Sequence, residues 1–195
     1  WKYSFYEEKE QHYDQRSLDI RDDSYIKGWF QSERYFSDIR EVIEKEIILK
    51  EKIRSPRDIL DIIDRSDSVA IHVRRGDYVR INMAMPAGYY RKASQVVKEK
   101  VKHPRYVVFS DNIDWAKRNL RLNEECFYIG RELGLNENEE LMLMSRCSSI
   151  IISNSTFSWW GAWLNKNKDK TVIAPREDQW FKGQKGILPE KWTAI

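Results

Sequence analysis

Beyond Ser66 the chain alternates short apolar runs with longer amphipathic stretches, and this alternation limits its fold more than any other feature. The apolar runs predict β-strands at residues 68–74, 106–110, 127–129, 150–153 and 171–174. The stretches between them predict helices at residues 88–101, 113–120, 137–146 and 157–165. Alternating strands and helices predict an α/β fold in which helices cover both faces of a parallel sheet. Ligands then bind beyond the carboxyl ends of the strands.

The first third of the chain has a different pattern. Apolar residues recur there at intervals of three or four, with charged residues between them: Phe36, Ile39, Ile43 and Ile47. This spacing is typical of an amphipathic helix. We therefore predict a helical lead-in over residues 1–65 and an α/β domain over residues 66–195. A chain of 195 residues is long enough for one such domain and an appendage.

Charge and cysteine content exclude several classes of function. The 34 basic and 31 acidic residues nearly cancel, so no sequence-wide cationic field supports nucleic acid as a partner. No apolar run reaches the ~20 residues of a transmembrane segment, and Cys126 and Cys147 lack the spacing of a zinc site. These features predict a cytoplasmic protein with reduced thiols, at most peripheral to the inner membrane of a bacterium.

The first candidate site is the segment HVRRGDY at residues 72–78, where the first strand of the α/β domain ends. Successive strand side chains point to opposite faces, so Arg74 and Arg75 cannot both serve one site unless the strand has already become a loop. A guanidinium grips two phosphate oxygens at once, which suits it to a pyrophosphate. The alternative is that Arg74 or Arg75 pairs with Asp77 in a strand-end turn, and the residues alone leave both interpretations open.

The second candidate site is a strand, a hydroxyl-rich turn and an aromatic helix at residues 151–163. Three hydroxyls and one amide lie where that helix starts: Asn154, Ser155, Thr156 and Ser158. Such residues are favoured helix caps, and amides at a helix N-terminus also attract phosphate. The density of polar groups favours anion binding, with capping as the alternative. The tryptophans of the helix are interpreted as packing residues rather than a sugar-binding surface: Trp159, Trp160 and Trp163.

Two acidic segments are further candidates. Glu137, Glu139 and Glu140 begin a predicted helix, where acidic residues offset the macrodipole, but Glu140 is also a candidate for binding a base or ribose. Asp111 lies in a Ser-Asp-Asn segment at residues 110–112, directly before the predicted helix at residues 113–120. Capping explains that segment, with contact between Asp111 and a ligand as the alternative.

Four segments occur in the order seen in alpha-1,2-fucosyltransferases, which the chain resembles: residues 72–78, 109–115, 141–145 and 153–164. Flanking residues 28–36, 173–175, 180–181 and 189–192 extend the resemblance from about Gly28 to Ile195. Members of that family begin with a Gly-Asn-Gln turn that has no match here, and the chain starts at Trp1 without a methionine. We therefore expect a C-terminal, donor-binding portion that lacks much of the acceptor-side domain.

The resemblance implies the Rossmann-like C-terminal half of a two-domain GT-B glycosyltransferase. The implied reaction is inverting transfer of L-fucose from GDP-fucose to the 2-hydroxyl of a galactose in an acceptor glycan, without a metal or other cofactor. The chain has no Asp-x-Asp pair, which commonly holds the divalent ion in metal-dependent sugar-nucleotide transferases. A bacterial surface polysaccharide is the expected product.

The resemblance also implies roles for individual residues. Arg74 is expected to contact the donor diphosphate with support from His72 and Asp77, while Glu140 binds guanosine and residues 155–158 form the phosphate-side turn. Arg74 and Asp77 are the candidate catalytic residues, and no metal ligand is predicted. The candidate donor-binding residues are His72, Arg74, Arg75, Asp111, Glu140, Asn154, Ser155, Thr156, Phe157 and Ser158.

Two other functions remain open at this point. The chain could be a non-catalytic module that binds GDP or a glycan, or part of a GT-B transferase that uses another nucleotide sugar. Transfer assays and titrations with different nucleotide sugars separate these alternatives. The general base is not identified, because Asp77 or a residue outside the chain could fill that role, or the reaction could be dissociative enough to need little help from a base.

Overall fold

A computed structural model describes residues 3–195 and contains two parallel sheets. The strands are β1 (Ser4–Glu7), β2 (Ser24–Lys27), β3 (Ser68–Val73), β4 (Arg105–Ser110), β5 (Cys126–Ile129), β6 (Ser149–Ile151), β7 (Val172–Ala174) and β8 (Thr193–Ala194). The α-helices are α1 (Arg40–Glu46), α2 (Arg57–Ile63), α3 (Gly76–Arg80), α4 (Ala87–Lys98), α5 (Ile113–Asn119), α6 (Glu137–Arg146) and α7 (Thr156–Trp163). Short 3₁₀ turns lie at Gln15–Asp19, Glu33–Tyr35, Ser37–Ile39, Arg131–Leu133 and Glu177–Gln179.

The main sheet has six parallel strands in the order β5-β4-β3-β6-β7-β8. Its register pairs Ile71 of β3 with Val108 of β4 on one side and with Ile151 of β6 on the other. The predicted α/β fold with a Rossmann-like parallel sheet is therefore confirmed, and each of the five predicted strands and four predicted helices is present. Helix α3 and strand β8 were not predicted, since the first lies in a presumed turn and the second has two residues.

Both faces of β3 are buried, which explains its unbroken apolar sequence. Val69, Ile71 and Val73 face a core layer under α4 and α5. Ala70 faces a second layer that contains α6, α7 and the side chain of Trp163. Alternate residues of one strand thus enter two different cores, and this alternation continues into the residues that follow β3.

The prediction of a helical lead-in over residues 1–65 is wrong for β1 and β2, which form a separate two-stranded parallel sheet. Phe5 and Tyr25 stack across that sheet at 5.6 Å, so paired aromatics override the helical pattern. Helix α1 is also shorter than predicted, because Phe36 leaves the helical path to pack against the tryptophans of α7. The prediction holds for α1 and α2, which carry Ile43 and Ile59 onto the core.

None of the helices in residues 3–195 combines the length and the apolar character of a membrane span.

Candidate functional site

The two motifs singled out from the sequence lie side by side in the structure. HVRRGDY follows β3, and the hydroxyl-rich turn follows β6, which is the neighbour of β3 in the sheet. The strands are parallel, so their carboxyl ends meet at one edge. Residues that follow β4 join the same edge from the other side of β3. We call this group the strand-end site, defined by His72–Tyr78, Ser110–Asn112 and Ser153–Ser158.

His72 links the two motifs beneath the surface of the strand-end site. Its Nδ1 lies 2.9 Å from Oγ of Ser153, and the ring of Phe157 lies 5.3 Å from the imidazole. Burial, with a smaller contribution from Arg74, lowers the pKa of His72 to about 3. The imidazole is therefore neutral at physiological pH, and it joins β3 to β6 without adding positive charge to the site.

Arg74 holds its guanidinium at the mouth of the site between two carboxylates. Nη2 donates to Oδ1 of Asp77 at 2.8 Å, and Nη1 lies 3.1 Å from Oδ2 of Asp111. The pairing with Asp77 considered from the sequence is therefore present. The side chain of Arg74 remains 38% exposed, so these contacts orient the guanidinium without enclosing it. Exposed pairs of this kind stabilise a fold by only about 0–1 kcal/mol.

Arg75 points to the opposite face of the sheet, as strand alternation predicts. Its guanidinium lies 4.0 Å from the ring centroid of Trp115, on the side covered by α5. The backbone N–H of Arg75 donates to Oδ1 of Asp111 at 2.8 Å. Only the main chain of Arg75 therefore takes part in the network around Arg74. Its predicted role as a donor-binding side chain has no geometric support in this arrangement.

Asp111 is the residue that connects the two arginines. Its carboxylate accepts from Arg75 N–H and pairs with Arg74. The neighbouring side chain of Asn112 caps α5 by accepting from the N–H of Trp115 at 3.0 Å, which confirms the capping expectation for this segment. Asp111 itself does not cap α5, because its carboxylate contacts Arg74 and Arg75 at the end of β3.

Gly76 leaves the space that this carboxylate occupies, because a Cβ at Gly76 would lie 2.8 Å from Oδ2 of Asp111. We expect Gly76→Ala to displace Asp111 and to weaken binding of GDP, the nucleotide that the family resemblance implies, about tenfold, which corresponds to about 1.4 kcal/mol. The loss of unfolding free energy should be smaller, since only the end of one side chain must move. Calorimetric titration and thermal unfolding measure the two effects.

The matched control for this substitution is Gly88→Ala, where a Cβ meets nothing within 4 Å. This position lies in the first turn of α4 and should leave GDP affinity unchanged. Equal GDP affinities for Gly76→Ala and the unmodified protein would show that GDP binding does not depend on the position of the Asp111 carboxylate.

The polar groups at the start of α7 are largely committed to the protein itself. Asn154 is 1% exposed, and its Nδ2 donates to the carbonyls of Met83 and Gln179, each at 2.8 Å. The buried hydroxyl of Ser158 donates to the carbonyl of Ser155 at 3.2 Å. Neither side chain is directed at an external anion. Asn154 instead fastens two loops beside the site.

Ser155 and Thr156 complete the start of α7. Ser155 occupies the N-cap position without capping the helix through its side chain, so the capping interpretation is wrong for this residue. Its side chain lies close to the hydroxyl of Tyr78. Thr156 is exposed, and Phe157 is partly buried against His72. The first turn of α7 therefore presents its backbone and Thr156 at the edge where Arg74 lies.

Tyr78 was missed in the sequence analysis although it is part of HVRRGDY. Its ring lies 5.6 Å from the guanidinium of Arg74 and 5.7 Å from the ring of Phe181. Together with the proximity of its hydroxyl to Ser155, these contacts connect the end of β3, the start of α7 and the C-terminal loop. The available signal was the position of Tyr78 at the end of the same strand-end motif as Arg74.

The three glutamates at the start of α6 have different environments. Glu139 forms a capping box with Asn136 and also accepts from the N–H of Arg54 at 3.2 Å, so its role is structural. Burial, with smaller contributions from Glu137 and Asp111, raises the pKa of Glu140 to about 7. The coupling to Asp111 places Glu140 within electrostatic range of the strand-end site. In contrast to Glu139, whose pKa is lowered mainly by hydrogen bonds from the backbone, Glu140 lies in an environment that disfavours its charge.

The raised pKa of Glu140 makes a testable contribution to stability. Because the folded carboxyl keeps its proton up to about pH 7 and the unfolded one loses it near pH 4.3, the folded state binds more protons in this interval. Stability therefore falls as pH rises from about 4.3 to about 7. We expect Glu140→Gln to be more stable than the unmodified protein at pH 8, with the difference vanishing towards pH 4.

Urea unfolding at a series of pH values measures this difference. Glu41→Gln is the control, since Glu41 is an exposed glutamate in the first turn of α1. A difference for Glu140→Gln that stays constant with pH would contradict the assigned environment.

Among residues 3–195, no three histidine, cysteine, aspartate or glutamate side chains are grouped to hold a metal ion. The positive groups available to an anion at the strand-end site are the guanidinium of Arg74 and the backbone N–H groups at the start of α7, where the helix dipole is positive. The site can thus receive a phosphate or diphosphate between β3 and β6.

Comparison with known proteins matches this chain to glycosyltransferases. The sequence profile described as "Glycosyl transferase family 11" matches residues 1–195. The chain is 36% identical over 134 residues to the O-antigen biosynthesis glycosyltransferase WbnK of Escherichia coli, covering 63% of this chain and 42% of that protein. It is 35% identical over 184 residues to an alpha-1,2-colitosyltransferase of Escherichia coli, covering 86% of this chain and 61% of that protein.

A human protein, galactoside alpha-(1,2)-fucosyltransferase 1 of Homo sapiens, is 26% identical over 191 residues, covering 87% of this chain and 52% of that protein. The chain spans about half the length of the curated relatives it matches.

Proposed function

The chain belongs to glycosyltransferase family 11, and from that premise we propose that it forms the donor-binding half of an enzyme that transfers L-fucose from GDP-fucose. The proposed acceptor is the 2-hydroxyl of a galactose in a glycan. The observation that supports the proposal is the adjacency of Arg74, after β3, and the start of α7, after β6. A diphosphate placed between them would meet a guanidinium on one side and a helix N-terminus on the other.

The proposed reaction is a single displacement at C1 of fucose. The acceptor oxygen forms a bond to C1 while the bond from C1 to the β-phosphate oxygen breaks, and the hydroxyl proton passes to a base. Negative charge grows on the departing GDP, and Arg74 is positioned to stabilise it in the transition state. Asp77 and Asp111 hold that guanidinium in place before the donor arrives.

Glu140 is proposed to bind the guanine base. A carboxylate accepts hydrogen bonds from the N–H groups on one edge of guanine, and these bonds favour the charged form that burial disfavours. His72 is proposed to shape the site through its contact with Ser153 rather than by charge, because its imidazole is neutral. We further propose that the transfer needs no metal ion, with Arg74 and the start of α7 meeting the charge of the diphosphate.

A second donor is favoured by one relative. The alpha-1,2-colitosyltransferase matches 86% of this chain at 35% identity. Colitose is L-fucose without its 3-hydroxyl, so both sugars fit the same reaction and differ in one hydrogen-bonding group. A site built to bond the 3-hydroxyl discriminates strongly against the sugar that lacks it.

The test uses the protein that contains this chain, with GDP-fucose, GDP-colitose, GDP-mannose and UDP-galactose as donors and a β-galactoside as acceptor. Transfer from GDP-fucose that persists in EDTA, with linkage at the 2-hydroxyl, is the expected result. Preference for GDP-colitose would replace fucose by colitose in the proposal. Stronger binding of UDP-galactose than of GDP-fucose, measured by calorimetric titration, would overturn it.

A further inference from the structure

A pocket with aromatic walls lies beside the first turn of α7. Its volume is about 220 Å³, and Trp29, Phe30 and Trp160 contribute aromatic walls while Gln31 and Thr156 contribute polar groups. We call it the aromatic pocket. Sites for drug-sized ligands commonly measure about 300–1,000 Å³, so this one suits a single sugar ring better than a nucleotide.

Trp29 differs from the other aromatic walls of the pocket in its exposure to solvent. The other aromatics have packing roles: Trp160 stacks with Phe36 at 5.3 Å, and Phe30 packs edge-on against Tyr35 at 5.2 Å. Trp29 is 68% exposed. An indole that is this exposed and also lines a pocket is accessible to a ligand.

The backbone holds Trp29 in this exposed position. Glu8 accepts from the N–H of Trp29 at 2.7 Å and from the N–H of Phe30 at 3.0 Å. Phe30 has a φ of +48°, in the left-handed region that a bulky residue seldom adopts. Such strain costs on the order of 1–3 kcal/mol and is concentrated at ligand-binding positions. Here it turns the chain so that Trp29 and Gln31 both line the pocket.

The aromatic pocket adjoins the strand-end site through three successive contacts. Arg74 lies over the ring of Tyr78, the hydroxyl of Tyr78 is near the side chain of Ser155, and the next residue, Thr156, lines the pocket. A sugar ring in the pocket would therefore lie one residue away from the part of α7 that is proposed to face the donor diphosphate.

We propose that the aromatic pocket binds the galactose ring that accepts the transferred sugar, and that Trp29 is a specificity-determining residue for the acceptor. This inference rests on the proposed function. Galactose has one face rich in C–H groups, which stacks on an indole, and hydroxyls that can bond to Thr156 and Gln31. An axial 4-hydroxyl gives galactose a more continuous C–H face than glucose, so galactosides should bind more tightly than glucosides.

The test compares Trp29→Ala with Trp29→Phe in the protein that contains this chain. We expect Trp29→Ala to raise the KM for a β-galactoside acceptor about tenfold or more, with the Kd for GDP unchanged. Trp29→Phe should restore most of the acceptor affinity. Leu18→Ala is the control, because Leu18 is a 69% exposed apolar side chain outside the pocket.

Saturation-transfer NMR gives a readout that does not depend on turnover. Methyl β-D-galactopyranoside should receive magnetisation in the presence of GDP, more strongly than methyl β-D-glucopyranoside, and Trp29→Ala should abolish the difference. GDP binding with no effect of Trp29→Ala on galactoside affinity would overturn this inference and leave the proposed function standing. The inference would also be overturned if another part of the protein covers Trp29. In that case the indole of Trp29 would be shielded from acrylamide quenching both with and without galactoside. Absence of GDP binding would overturn the proposed function itself.

Discussion

Replacing Arg74 by alanine is expected to reduce the turnover of the proposed fucosyl transfer by about a hundredfold or more. The guanidinium is the one positive side chain that the strand-end site holds between Asp77 and Asp111 at its mouth. Its removal leaves the growing charge of GDP without a preorganised partner. Folding should be nearly unaffected, because both ion pairs of this arginine are partly exposed. Steady-state kinetics and thermal unfolding of the same preparations measure the two quantities.

Two further variants make this result interpretable. Arg74→Lys keeps the charge but loses the planar pair of donors, so its turnover should lie between those of the alanine variant and the unmodified protein. Arg65→Ala removes an arginine that pairs with Asp67 before the start of β3, at the opposite edge of the sheet. That variant should keep full turnover. Turnover of Arg74→Ala within twofold of the unmodified protein would remove Arg74 from the proposed mechanism.

Replacing Asn154 by alanine is expected to lower the free energy of unfolding by about 2–3 kcal/mol. Two hydrogen bonds disappear, and the carbonyls of Met83 and Gln179 lose their donor. Asn154→Asp should be still less stable, because it sets a carboxylate against two carbonyl oxygens. Urea unfolding at neutral pH measures both losses.

The same variants separate stability from donor binding. GDP affinity, measured at a temperature where Asn154→Ala is folded, should change less than threefold if the amide only fastens loops. A large loss of GDP affinity with little loss of stability would instead restore the phosphate-binding role predicted from the sequence. Asn167→Ala is the control, since Asn167 bonds to the carbonyl of Ser148 at an exposed position.

The α/β domain was predictable because its central strands β3, β4, β6 and β7 are buried and each carries its own apolar run. The run around Ile71 is one example. The N-terminal segment was not predictable in this way. Its conformation depends on contacts across the chain, such as Phe36 with the tryptophans of α7 and Phe5 with Tyr25. Local periodicity carries no information about such partners, which lie in other segments of the chain.

The candidate site was predictable to the level of segments but not of every side chain. Strand alternation separated Arg74 from Arg75, and the structure places their guanidiniums against different neighbours. The destination of the Asn154 amide could not be read from SNSTFS, because its acceptors are carbonyls in two distant loops. Side-chain chemistry names the groups able to bind an anion, whereas the surrounding backbone decides which of them are already occupied.

The strand β3 sends alternate residues into two separate cores, and this has a consequence for how its sequence can change over time. Substitutions that exchange one apolar residue for another keep every side chain on its own face. The loss or gain of a single residue inside the strand reverses all the faces at once. After the loss of one residue, Arg75 would occupy the position that Arg74 has now, and apolar residues of β3 would face the wrong core. Descendants of this chain should therefore tolerate changes in the composition of β3 far more readily than changes in its length.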